Sequence, residues 1–95
     1  MAEDVEDQLL NEQIAHRLRQ TRRALGYSQA LMAKLVGLAG ANGWNNYEKA
    51  KNRIPVDIAA QLCTIAGCDM DWIYRGEFSG VSERLLTKLQ KMQDT

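Results

Sequence analysis

Apolar residues return every three or four positions through Leu10, Ile14, Leu18 and Leu25, with Thr21 on the same stripe. That period predicts a first helix with one buried face, ending at Gly26 and carrying Arg17, Arg19 and Arg23 largely on its outer side. Val5 and Leu9 would extend it toward the N-terminus, whereas the acidic first residues favour fraying. Ser28 stands as N-cap to a second helix, Gln29 to about Val36, with Leu31, Met32, Leu35 and Val36 apolar and Gly37 as its stop. Gly37 to Gly43 reads as a turn and the entry to a third helix, about Ala41–Lys49, anchored by Trp44 and Tyr47. Gly43 inside that helix costs up to ~1 kcal/mol relative to Ala, which aromatic packing must offset.

The pattern continues beyond a basic loop. Pro55 starts a fourth helix in which Val56, Ala59, Ala60, Leu62, Cys63 and Ile65 are expected mostly inward, up to Gly67. Asp69 or Asp71 caps a short fifth helix around Trp72, Ile73 and Tyr74, closed by Gly76. Ser82 caps a sixth, whose stripe is Leu85, Leu86, Leu89 and Met92. No run alternates with period two for long, so the expected fold class is all-α: five helices and a C-terminal sixth.

Composition changes the picture through charge. The 95 residues suffice for one domain, and a net charge of zero conceals segregation. Residues 1–13 hold Glu3, Asp4, Glu6, Asp7 and Glu12 and no base. Residues 14–53 hold eight Lys or Arg against Glu48 alone, and residues 54–95 are mildly acidic. A basic centre between acidic ends is compatible with a nucleic-acid partner. Cys63 and Cys68 have no zinc-ligand spacing, and Cys63 reads as a small core residue. His16 is the single histidine, and no nucleophile–base set or phosphate loop emerges, so neither enzyme activity, metal nor cofactor is expected. No apolar run approaches a membrane span, and a cytoplasmic protein is expected.

Two short helices joined by a glycine-punctuated turn form a helix-turn-helix pattern, and the second is rich in asparagine. Asn42, Asn45 and Asn46 are candidate base readers, because an Asn side chain pairs bidentately with the major-groove edge of adenine. Ala41 and Gly43 would permit close approach. Lys49, Lys51 and Arg53 follow at once, suited to phosphate. The bland alternative is a solvated polar face beside a solvated basic loop.

In order and spacing the chain resembles the lambda-repressor-like helix-turn-helix family of phage repressors and related bacterial regulators. The resemblance rests on Arg22 four residues before Gly26; Ser28-Gln29 followed by Ala33 and Gly37; Tyr47-Glu48; Arg53-Ile54-Pro55; and Asp71-Trp72-Ile73-Tyr74-Arg75-Gly76. It runs from Ile14 to Glu77, about two thirds of the chain, and implies three segments: an acidic 1–13, a DNA-binding domain over 14–77 and a C-terminal helix in 78–95. It further implies a transcriptional regulator, a repressor among them, that reads double-stranded DNA with Ala41, Asn42, Asn45 and Asn46. Phosphate contacts are implied for Gln29, Gly43, Lys49, Lys51 and Arg53, and a structural ion pair for Arg22 and Glu48. The chain departs from the family in two places. Gly37 to Glu48 is one residue longer than usual, and Ala50 stands where a glycine is usual, so the third helix is expected to run on past Glu48.

Such regulators bind as homodimers, and the sixth helix is the expected dimer element unless its stripe packs back on the first or fifth helix. A rival reading keeps the fold but makes it a protein-interaction module, antitoxin-like or adaptor, binding a partner through the acidic N-terminus or the sixth helix.

Overall fold

A computed structural model describes residues 2–93, with side chains from Val5 to Met92. The side chains of Glu3 and Asp4, part of the acidic segment, lie outside the described residues. Six helices follow one another: α1 (Ala2–Leu25), α2 (Gln29–Leu35), α3 (Ala41–Glu48), α4 (Val56–Ala66), α5 (Met70–Arg75) and α6 (Glu83–Gln93). No strand occurs among the described residues, so the fold class is all-α as expected. From Ala2 onward the acidic segment is helical and continuous with α1.

Local chemistry sets the starts. Ser28 Oγ accepts from the Leu31 N–H at 3.0 Å, Asp69 Oδ1 from Trp72 N at 3.1 Å, and Ser82 Oγ from Leu85 N at 3.2 Å. Each supplies an acceptor to an N–H that the helix itself leaves unbonded. Pro55 is the residue before α4 rather than its first. As a result Val56, expected inward, sits in the first turn and is 67% exposed, and Ala60 also faces out.

The helices from α1 to α5 each close with a residue at positive φ, and after α3 that residue is Ala50 at φ 61°. α3 therefore does not run on, contrary to expectation. The Ala50 N–H bonds Tyr47 O at 3.2 Å and the Lys51 N–H bonds Asn46 O at 3.0 Å. These two bonds turn the chain sharply, in the arrangement that glycine usually serves. An alanine there is strained by roughly 1–2 kcal/mol. The turn persists because Ile54, four residues on, is buried at 2% exposure and holds the loop to the core.

The core collects Ile14 and Leu18 from α1, Met32 from α2, Trp44 from α3, Leu62 from α4 and Ile73 from α5. Trp44 is fully buried. A side chain of that size removes ~150–250 Å² from water, worth several kcal/mol at ~25 cal/mol per Å², well above the ~1 kcal/mol that Gly43 costs the helix. α6 lies on α1, with Leu85 and Leu89 buried at 1% and 5% exposure. The two inner positions of the stripe expected to make a dimer thus belong to the domain's own core. Cys63 and Cys68 are half-buried at its edge, and burial pushes both thiols up, Cys63 with it and Cys68 further.

Candidate nucleic-acid interface

α3 rests on α1 and α2 through Trp44 and Glu48, one turn apart on the helix. Opposite them, on the 3.6-residue period, stand Asn42 and Asn46 with Lys49 following. Asn42 and Lys49 are exposed, Asn46 is half-buried, and Ala41 and Asn45 occupy the half-buried shoulder between the two faces. Lys51 and Arg53 are exposed in the loop beyond. The Asn46 carbonyl accepts from both Lys51 N at 3.0 Å and Asn52 N at 3.3 Å, which folds that basic loop back on the end of α3.

Beneath this face lies a buried ion pair. Arg22 Nε donates to Glu48 Oε2 at 2.6 Å and Arg22 Nη2 to Oε1 at 3.0 Å, with the side chains 13% and 3% exposed. Arg22 Nη1 also donates to Tyr27 O at 2.9 Å. The indole N–H of Trp44 donates to Glu48 Oε2, and Gln29 Nε2 donates to Oε1 at 3.1 Å. Burial alone would push the Glu48 carboxyl up. Hydrogen bonds from Arg22, Trp44 and Gln29, with the Arg22 charge, override it and hold the carboxyl below its usual range.

Gln29 is occupied within the protein. Its Nε2 gives one bond to Glu48 and another to Asn45 Oδ1 at 3.1 Å. The phosphate contact expected of that amide would require breaking one of these bonds, so its place in the fold is that of a bridge between α2 and α3. The Gly43 N–H bonds Gly40 O at 3.2 Å, and a Cβ there would meet Leu38 of the turn 3.4 Å away.

The arginines of α1 likewise turn inward. Arg17 Nε donates to Ile73 O at 3.0 Å at the end of α5, and Arg19 Nη1 to Glu48 O at 3.1 Å at the end of α3. A cation at a helix C-terminus meets unbonded carbonyls and the negative end of the dipole. Burial lowers the Arg17 pKa from its ordinary value. Only Arg23 keeps the outward setting expected of all three. Arg53 Nε donates to Asn11 Oδ1 at 2.6 Å, and its Nη2 lies 3.7 Å from Asp7, so the acidic half of α1 reaches the basic loop. The Tyr74 hydroxyl donates to Ile54 O at 2.7 Å and ties α5 to that loop.

Residues 13–75 match the profile of the helix-turn-helix domain family, well over half of the chain, and the protein belongs to that family. No curated protein and no solved structure matches it. Helix-turn-helix domains are DNA-binding units that place their second helix in the major groove. Among the described residues no helix is long and apolar enough to cross a membrane.

Proposed function

We propose that this helix-turn-helix protein is a sequence-specific transcriptional regulator of double-stranded DNA, of the lambda-repressor-like kind and acting in the cytoplasm. In this reading α3 enters the major groove. Asn42, Asn45 and Asn46 meet base edges, Ala41 allows close approach, and Lys49, Lys51 and Arg53 meet phosphates. The observation that carries it is the division of α3: Trp44 and Glu48 lock one face into the domain, while the opposite face is asparagine and leads straight into exposed cations. Two copies on a two-fold-related site would set their α3 helices about one helical turn of DNA apart. Since Leu85 and Leu89 are already buried, such a dimer would form through other residues of the surface.

The test is titration of labelled duplex at several salt concentrations, followed by selection from random duplexes. Affinity should fall linearly in log–log form with salt, and replacing Lys51 and Arg53 by Gln should flatten that slope on every sequence. Asn42→Ala or Asn46→Ala should weaken the selected site more than random duplex, by ~1–3 kcal/mol per lost contact. Absence of salt-dependent binding would overturn the proposal. It would favour the protein-interaction reading, for which the exposed Val5 and Leu9 on the acidic half of α1 are the supporting observation.

A further inference from the structure

The orientation of one amide on the reading face is dictated from inside the protein. The Glu48 carboxylate carries no proton and can only accept, so Gln29 must turn its NH₂ toward it. The second hydrogen of that nitrogen then points at Asn45, which must answer with its carbonyl oxygen, 3.1 Å away. Flipping Asn45 would set two NH₂ groups against each other, and flipping Gln29 would set a carbonyl against a carboxylate. Amide orientations are normally assigned from their surroundings. Here the surroundings begin with a group that has one option, and the polarity passes outward along the chain Glu48, Gln29, Asn45.

We infer that Asn45 is a specificity-determining donor, its carbonyl turned to Gln29 and its NH₂ to the groove, and that it selects a base edge carrying an acceptor. Guanine offers O6 and N7, adenine N7 and thymine O4. Cytosine, by contrast, offers only its N4 amino donor, which needs a carbonyl turned outward. Among the described residues no side-chain partner restrains Asn42 or Asn46 in this way, so those two are free to turn carbonyl or NH₂ to the groove. The three asparagines of α3 are therefore not equivalent. This inference rests on the proposed DNA-reading role of α3.

The experiment has two arms. In the free protein, side-chain amide exchange is followed by ¹⁵N–¹H spectroscopy. The Gln29 NH₂ should exchange at least several-fold more slowly than that of exposed Gln61; equal rates would show that the relay does not exist and would overturn the inference whatever the DNA result. In the second arm, random duplexes are selected with wild type, Asn45→Ala, Gln29→Met and Gln29→Lys, each checked for its helical fold by circular dichroism. One position of the site should lose its preference in Asn45→Ala, and there wild type should disfavour cytosine by about five-fold or more against guanine. Gln29→Met should abolish that bias at that position alone, while Gln29→Lys, whose ammonium also only donates, should keep it. Cytosine preferred at that position, no position depending on Asn45, or a bias unmoved in Gln29→Met would each overturn the inference. If no duplex is retained by any variant, the DNA-binding proposal fails and the base preference with it. Slow Gln29 exchange would then mark the failure as lying in the partner and not in the relay.

Discussion

Replacing Glu48 by Gln tests what holds α3 in place. The carboxylate is 3% exposed and collects donors from Arg22, Trp44 and Gln29. The amide keeps one acceptor and introduces two hydrogens into a site that already consists of donors. Arg22, 13% exposed, loses its counter-charge and one arm of its two-bond contact, while keeping its bond to Tyr27 O. Breaking a pair this shielded costs ~3–5 kcal/mol, whereas a solvent-exposed pair costs under ~1 kcal/mol. Small domains have only ~5–15 kcal/mol in total, so roughly a fifth or more of the stability is at stake. At ~4–8 °C per kcal/mol for a chain of this size, the melting temperature should fall by about 12–40 °C. Urea and thermal unfolding followed by far-UV circular dichroism measure both quantities. A companion double variant, Arg22→Met with Glu48→Met, removes both charges and should lose less than the two single losses added together. A Glu48→Gln protein within ~1 kcal/mol of wild type, or strictly additive Met variants, would refute the view of a buried, coupled pair.

Further outcomes are expected on the same physical grounds. Because the Glu48 pKa is held below its ordinary 4.5, the unfolded chain takes up the proton first as pH falls. This contribution to stability is complete above about pH 5 and is lost as pH drops through the folded value; urea midpoints in acid should fall more steeply for wild type than for Glu48→Gln. Ala50→Gly should raise stability by ~0.5–1 kcal/mol, since relief of strain at φ 61° exceeds the added freedom of the unfolded chain; a lower urea midpoint would refute the strain. Asp7→Asn should raise affinity for any duplex by about two- to five-fold at low salt and not at high salt, because an exposed carboxylate 3.7 Å from Arg53 competes with phosphate; unchanged binding would show that it does not. Deleting residues 81–95 takes Leu85 and Leu89 out of the core and should abolish cooperative unfolding, so a truncated chain with the wild-type midpoint would show α6 to be dispensable.

What could be read from the sequence was whatever is local. A stripe such as Ile14, Leu18 and Thr21 announces a buried helix face by its period, and Ser28, Asp69 and Ser82 announce helix starts by their side-chain oxygens. The pairing of Arg22 with Glu48 is implied by the family resemblance and supported by the scarcity of partners: one acid stands in a basic stretch of forty residues, 14 to 53. The failures have the opposite character. Arg17 and Arg19 look like solvent-facing cations, yet their acceptors are carbonyls 56 and 29 residues away, and carbonyls leave no mark in a sequence. Ala50 followed a sound local rule to the wrong result, because the buried Ile54 beyond it outweighs one strained residue.

The asparagines of α3 show where these two kinds of information meet. That they form a polar face follows from their spacing against Trp44 and Glu48, so the candidate surface is legible in the sequence alone. That Asn45 differs from Asn42 does not follow from spacing, since both are the same residue on the same helix. The difference comes from Gln29, sixteen residues earlier, and ultimately from a carboxylate whose burial makes it an obligate acceptor. A stability element thereby sets the hydrogen-bonding polarity of the surface above it. Substitutions at Glu48 should consequently alter base preference as well as stability, and Gln29 is the position at which the two effects separate.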